Sequence, residues 1–185
     1  MGKWYSQKNT FYSRSGVKKK QCHSFNLTFR YIDDVLSINN PKFSEYLDVI
    51  YPSELEIKDT SDSPHFVNFL DLCLSINNKQ ITTCLYDKRD DFNFNIVNFP
   101  FLSSNIPSSP AYGVFVSQLV RYSRSSSDYL DFVKRSSILV ARLAKQGFSL
   151  SRLHHAFKKF YGRHQDLIGK YDKSMSAIAK DILSV

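Results

Sequence analysis

The sequence predicts an α+β fold, two antiparallel hairpins with a helix packed on them, followed by a helical bundle. From about residue 25 to residue 102 apolar residues alternate with a period of two, apart from one short helical stretch. Beyond residue 110 they recur at helical spacing, behind serines that can cap. Between the two regimes lies Ser103–Pro110, with two prolines and four serines, which reads as a linker. The chain has 185 residues, 42% hydrophobic and 15% aromatic, long enough and apolar enough to bury a core. Three segments follow: a basic flexible arm over 1–24, a mixed layer over 25–102 and a helical domain over 103–185.

The arm is basic and aperiodic, with Lys18-Lys19-Lys20 at its centre and Trp4, Phe11 and Tyr12 as possible base-stacking residues. Leu27 to Tyr31 and Val35 to Ile38 alternate and are rich in β-branched residues, so they form a hairpin with Asp33-Asp34 at its turn. Asn39-Asn40-Pro41 supplies a turn, an N-cap and a first-turn proline; Phe43, Leu47 and Ile50 then share a helical face until Pro52. Glu54 to Lys58 alternates as a half-exposed strand, and residues 60–64 form a polar loop. His65 to Ile76 and Ile81 to Asp87 form a second hairpin turned at Asn77-Asn78. Asp87-Lys88-Arg89-Asp90-Asp91 carries a second acid pair, but Lys88 and Arg89 can neutralise it, so it reads as a surface turn with internal ion pairs. Phe92, Phe94 and Ile96 alternate with Asn as an extended segment.

Ser109-Pro110 opens a helix to about Tyr122. Ser127-Asp128 starts a second, with Leu130, Val133, Ser137 and Val140 on one face, ending at Gly147. Ser149 or Ser151 caps a third, whose Leu153, Phe157 and Phe160 share a face, and a fourth spans Asp166 to Leu183. Lys134, Arg135, Arg142, Lys145, Arg152, Lys158, Lys159 and Arg163 decorate these helices. His154 and His155, being adjacent, point to different faces and do not form a ligand pair.

The formal net charge of +8 is unevenly spread. Residues 1–30 hold seven Lys/Arg and no acid; residues 31–120 hold five against twelve acids; residues 121–185 hold thirteen against five. An acidic centre between basic flanks suits a metal site set between phosphate-binding surfaces, although solvated charge blocks give the same pattern. The three cysteines, Cys22, Cys73 and Cys84, lack C-x-x-C spacing and make no zinc set. Their odd number fits a reducing compartment, nucleus or cytoplasm. Cys73 and Cys84 face each other across the second hairpin as apolar fillers. No apolar run is long enough to span a bilayer, and no signal-peptide core follows Met1.

The candidate chemistry sits at Asp33-Asp34. Two adjacent carboxylates at a hairpin tip repel unless a cation lies on them, which points to a hard divalent ion. Mg²⁺ held by one or two carboxylates and substrate phosphates is the arrangement of phosphoryl-transfer sites. A solvated β-turn uses the same residues, since Asp is common in turns.

Tyr31-Ile32-Asp33-Asp34 resembles the Tyr-x-Asp-Asp box of reverse transcriptases. The series continues through Phe69-Leu70-Asp71-Leu72, Leu85-Tyr86-Asp87-Lys88-Arg89-Asp90-Asp91, Asn105-Ile106-Pro107 and Arg121-Tyr122-Ser123-Arg124. This order, over about residues 25 to 170, is similar to reverse transcriptases of eukaryotic mobile elements, of the Penelope-like type. The resemblance implies the C-terminal half of a polymerase palm over 25–102 and a thumb over 103–185. It implies Asp33 and Asp34 as ligands of Mg²⁺ or Mn²⁺, weakly bound in this chain alone, and Lys58 as the acid that protonates pyrophosphate. Tyr31 and Ile32 would pack beside the primer end, Phe69 and Leu70 would belong to the primer grip, and Arg121, Arg124, Lys158 and Lys159 would contact nucleic acid. The implied partners are an RNA template, a DNA primer, their hybrid and the N-terminal region of a polymerase; no membrane is implied.

In that family another essential Asp comes from a strand upstream of the box, yet residues 1–30 contain no Asp or Glu. The expected function is therefore a fragment resembling an RNA-directed DNA polymerase, a nucleotidyltransferase inactive by itself. The alternatives are a non-catalytic nucleic-acid-binding protein derived from a retroelement and a degenerate open reading frame.

Overall fold

Strands β1 (Thr28–Tyr31) and β2 (Asp34–Ser37) pair antiparallel, with Thr28 opposite Ser37 and Tyr31 opposite Asp34. The computed structural model describes residues 25–61, 63–92, 94 and 99–184; the expected arm over 1–24 and Ile96 lie outside the described residues. Because Tyr31 and Asp34 close the ladder, the turn is Ile32-Asp33 and Asp34 is the first residue of β2, a shift from the expected Asp33-Asp34 turn. The hydroxyls of Thr28 and Ser37 lie 2.9 Å apart and tie the open end.

The expected helix after this hairpin is shorter than its apolar spacing predicts. A 3₁₀ turn over Phe43–Tyr46 runs into a single α turn, α1 (Leu47–Ile50), and neither buries a residue. Phe25 packs edge-on against Phe43 and Tyr46, with ring centroids 6.1 and 5.3 Å away. Glu54 to Lys58 forms no strand: alternation yields one only where a neighbouring edge offers hydrogen bonds, and among the described residues this sheet is β1 and β2 alone.

The second sheet has three antiparallel strands in the order β3 (Phe66–Phe69), β4 (Leu72–Asn77) and β5 (Gln80–Leu85). The stretch His65–Ile76, expected as one strand, is broken by a two-residue turn at Leu70-Asp71, with Phe69 opposite Leu72. The β4–β5 turn is Asn78-Lys79, one residue later than expected, and both residues have positive φ, +48° and +65°. That is the primed turn whose twist matches the flanking strands. Cys73 stands opposite Cys84 as expected, both as free thiols. Burial, then the Cys84 thiol beside it, pushes Cys73 up to about 12 and keeps it protonated at neutral pH.

The rest is helical: α2 (Ser108–Ser125), α3 (Tyr129–Lys145), α4 (Leu150–Arg163), α5 (Gln165–Ile168) and α6 (Met175–Leu183). Pro107 is the N-cap of α2, which runs three residues past the expected end at Tyr122. Asp128 caps α3, accepting from the Leu130 amide at 2.8 Å. Phe132, Ser136, Leu139, Val140 and Leu143 form its buried face, so Leu130, expected inward, is 71% exposed. Helix α4 buries Leu153, Phe157 and Phe160 completely, as its spacing predicts.

The expected fourth helix is two helices. After α5 and a 3₁₀ turn over Gly169–Tyr171, Asp172 takes a left-handed conformation (φ +49°), and Ser174 caps α6 by accepting from Ala177. The break is held by what precedes it. Lys170 Nζ donates to the carbonyls of Ser123 and Ser126 at 2.5 and 2.7 Å, and the Tyr171 hydroxyl donates to Ser126 at 2.9 Å. These donors satisfy carbonyls at the end of α2 that the helix itself cannot.

The fold is thus mixed α+β, in two compact units, residues 1–60 and 61–185. In the second unit, α2 packs on α3 and α4, and α3 on α6, around Phe115, Leu119, Phe132, Leu143, Phe157, Phe160, Ile178 and Ile182. The three-stranded sheet joins this core through Leu85 and is tied to the α2–α3 loop by a Thr83–Ser127 backbone bond. In the first unit no described residue is buried. Among the described residues no helix is long and apolar enough to cross a membrane.

Candidate functional site

The first candidate is the tip of the β1–β2 hairpin. Ile32 sits at φ +53°, rare for a β-branched side chain and costing about 1–2 kcal/mol. The geometry is held by the ladder pair Tyr31–Asp34 and by Arg30, whose Nε donates to the Ile32 carbonyl at 3.0 Å. Arg30 also lies over the Tyr51 ring, 5.5 Å from its centroid. The outcome is an exposed tip: Ile32 is 74% and Tyr31 55% accessible, and Asp33 and Asp34 are exposed beside them. Four of the residues singled out in the sequence therefore lie together at one hairpin tip, Ile32 and Asp33 in the turn and Tyr31 and Asp34 as the strand pair that closes it.

Two neighbouring carboxylates can hold a hydrated Mg²⁺ or Mn²⁺ through one or two oxygens, leaving the other positions to water or phosphate. Among the described residues no group of three or more His, Cys, Asp or Glu converges on a metal position. The donor set fits an open, water-rich site and not a closed one. Lys58 pairs with Glu56 at 3.2 Å, both side chains being more than two-thirds exposed.

The second candidate lies in residues 61–185, where the β3–β4 turn meets α2. Leu70 repeats the backbone of Ile32, with φ +57° in the same aromatic–aliphatic–Asp setting, Phe69-Leu70-Asp71 against Tyr31-Ile32-Asp33. Asp71 Oδ2 accepts from both Nε and Nη2 of Arg121 at 3.1 Å. Beside them a cavity of about 310 Å³ is lined by Leu70, Asp71, Tyr86, Asp87, Lys88, Arg89, Gln118 and Arg121. Arg89 donates Nε and Nη2 to the two oxygens of Asp87 at 2.7 and 2.5 Å. That bond holds the Asp87 carboxyl below its ordinary range and the Arg89 guanidinium above its own.

The run Asp87–Asp91 is a turn with internal ion pairs, as expected, though its second acid pair is shared out differently. Asp90 pairs with Arg135, which also donates to the Leu85 carbonyl, and Asp91 accepts from the Tyr86 hydroxyl at 2.6 Å. Arg135 is thereby engaged in joining α3 to the sheet. Arg124 on α2 and Lys158 and Lys159 on α4 are exposed. Leu70 and Arg121 meet at the cavity, while Phe69 ends β3 next to it. The grouping of Asp71, Tyr86, Asp87, Arg89 and Gln118 around this cavity was missed in the sequence. Its only linear trace is the mixed-charge run 87–91. No family model, curated protein or solved structure matches the chain.

Proposed function

We propose that the chain is the C-terminal palm portion and thumb of an RNA-directed DNA polymerase of a retroelement. Asp33 and Asp34 are its contribution to the divalent-metal site, and Tyr31 and Ile32 sit beside the primer end. The observation that carries the proposal is the hairpin tip, where a strained, solvent-facing Ile32 stands between an exposed tyrosine and two exposed carboxylates. Strain of this kind persists where the surroundings impose it, here the two-residue turn and Arg30, and it leaves the Ile32 side chain presented to solvent, free to pack against a base or sugar. Phe69 and Leu70 belong to the primer grip, Lys58 supplies a proton to the leaving pyrophosphate, and Arg121, Arg124, Lys158 and Lys159 lie along the hybrid. Mg²⁺ bound at the tip would supply charge stabilisation for phosphoryl transfer; the chain's own part is to orient the primer end and offer the two carboxylates. A primer with a photoreactive 3′ terminus, annealed to an RNA template, tests this. Cross-links to residues 28–37 are expected, and cross-links confined to the helices would refute the placement.

A second reading, a non-catalytic nucleic-acid-binding protein, is favoured by a different observation. Nearly all of the buried core lies in the helical part, which carries thirteen Lys/Arg against five acids over 121–185, while no described residue before residue 61 is buried. Hybrid binding unaffected by Asp33→Asn with Asp34→Asn, in the presence and absence of Mg²⁺, would favour it.

A further inference from the structure

Two of the chain's three cysteines, Cys73 on β4 and Cys84 on β5, stand directly opposite each other in the antiparallel ladder, both as free thiols. The turn at Asn78-Lys79 fixes that register, and opposed residues put their side chains on the same face of the sheet. Two residues beyond the cysteines, the Tyr86 amide donates to the Asp71 carbonyl at 2.9 Å. Hydrogen-bonded pairs recur at every second residue of such a ladder, so Cys73 and Cys84 form one, with Cα atoms about 5.5 Å apart. A disulfide spans about 4.4–6.8 Å between Cα atoms, so the backbone already meets its main requirement. Opposed Cβ atoms lie about 4.5–5.5 Å apart and a disulfide draws them to about 3.8 Å, a closure that leaves the bond strained and easily reduced.

Both side chains are half-buried, which leaves them open to a small reagent. Their chemistry is unequal. Burial and the Cys84 thiol beside it keep Cys73 protonated at neutral pH. On α3, Arg135 favours the Cys73 thiolate and Asp131 opposes it. Only a thiolate attacks a disulfide, so Cys84 reacts first and Cys73 resolves. The strand that carries Cys84 is also the one the helical part holds: Thr83 is bonded to Ser127, and the buried Leu85 accepts from Arg135. A bond from Cys84 to Cys73 would tie β4 to that anchored strand.

We propose that Cys73 and Cys84 form a redox modification site, a cross-strand dithiol that low-molecular-weight disulfides such as glutathione disulfide oxidise and thiols restore. The Cys84 thiolate, its proton released to water, attacks one sulfur of the reagent. The reagent's S–S bond breaks; one half stays on Cys84 as a mixed disulfide, and the other leaves as a thiolate that takes up a proton. Cys73 then gives up its proton and attacks the Cys84 sulfur, expelling the second half. One protein disulfide and two reagent thiols result, two electrons having passed from the cysteines to the reagent. In a reducing compartment such a bond is transient, as in a sensor. The proposal does not rest on the polymerase reading, since it needs only the β4–β5 register.

The test exposes the folded full chain to glutathione buffers of graded disulfide content, followed by acid quenching, alkylation of free thiols and peptide mass mapping. Wild type should lose two hydrogens, yield a Cys73–Cys84 linked peptide with Cys22 still alkylated, and regain both thiols in excess dithiothreitol. Cys73→Ser should stop at a mixed disulfide on Cys84, and Cys84→Ser should react about tenfold more slowly, because its remaining thiol on the sheet is held protonated. In urea, where the register is lost, the equilibrium constant for the link should fall by about tenfold or more. If a serine variant fails to fold, the wild-type map and its urea control decide alone. No link in the folded chain at excess glutathione disulfide, a link that forms only in urea, or Cys22 as the preferred partner of either cysteine would overturn the site.

Discussion

Arg121 on α2 gives both Nε and Nη2 to a single oxygen of Asp71, fifty residues earlier in the chain, at 3.1 Å each. The contact fastens the β3–β4 turn to the first long helix and closes one wall of the cavity. Both side chains are about half exposed, at 40% and 51%, so solvent screens the pair. A double-mutant cycle with Asp71→Ala and Arg121→Ala, read by urea unfolding, should give a coupling of about 0.2–1 kcal/mol. A coupling several times larger would mean that the pair holds the sheet on the helices, and not merely the turn.

Asp87 and Arg89 should behave differently, because they are much less exposed, at 12% and 20%. Arg89 hydrogen-bonded to Asp87 lowers the folded-state pKa of the carboxyl. The stabilisation is therefore present above the unfolded value, near 3.8, and lost as pH falls through the lower folded value. Asp87→Asn should cost about 1.5–3 kcal/mol at pH 7, where it leaves a buried guanidinium without its charge partner. Denaturant unfolding of wild type and variant from pH 7 to pH 2 should show the two curves converging on the acid side. A constant gap would mean that Asp87 acts through packing alone.

Nucleic-acid binding, if it follows the basic helices, should be strongly salt-dependent. Each phosphate neutralised on a duplex contributes a slope of about −0.9 in log K against log salt. Lys158→Glu with Lys159→Glu, both exposed on α4, should weaken RNA–DNA hybrid binding and flatten that slope by nearly two contacts' worth. Unchanged affinity and slope would take α4 out of the interface.

Primer extension by this chain alone should be absent, even with Mg²⁺ and all nucleotides. Asp33 and Asp34 are two carboxylates at one exposed hairpin tip, residues 1–30 hold no Asp or Glu, and among the described residues no third ligand joins them. An ion so held keeps most of its water and does not clamp attacking and leaving oxygens from both sides. Every tenfold of rate lost corresponds to about 1.4 kcal/mol, and the missing clamp should remove several such factors. Weak Mn²⁺ binding at the tip should still be detectable as paramagnetic line broadening that Asp33→Asn with Asp34→Asn removes. Robust extension abolished by Asp33→Asn would show that another carboxylate completes the site.

The sequence by itself determined the element types and most of the helical core. Leu153, Phe157 and Phe160 recur at helical spacing and are fully buried, and Asp128 caps the helix that it precedes. These are local consequences of period, capping and strand pairing, and neighbours in the chain are enough to produce them. Tertiary structure decided what depends on partners far away. Leu70 lies within an alternating run that reads as one strand, and no glycine or asparagine marks the turn. It turns there because Phe69 pairs with Leu72 and Arg121 holds Asp71 from another element. The long C-terminal helix breaks at Asp172 because Lys170 and Tyr171 are claimed by carbonyls of Ser123 and Ser126, some 45 residues away. Glu54 to Lys58, alternating but without a neighbouring edge, stays unpaired in the sheet sense. An ion pair or a strand edge supplied from fifty residues off leaves no period in the sequence, and only the folded chain brings such groups within hydrogen-bonding distance.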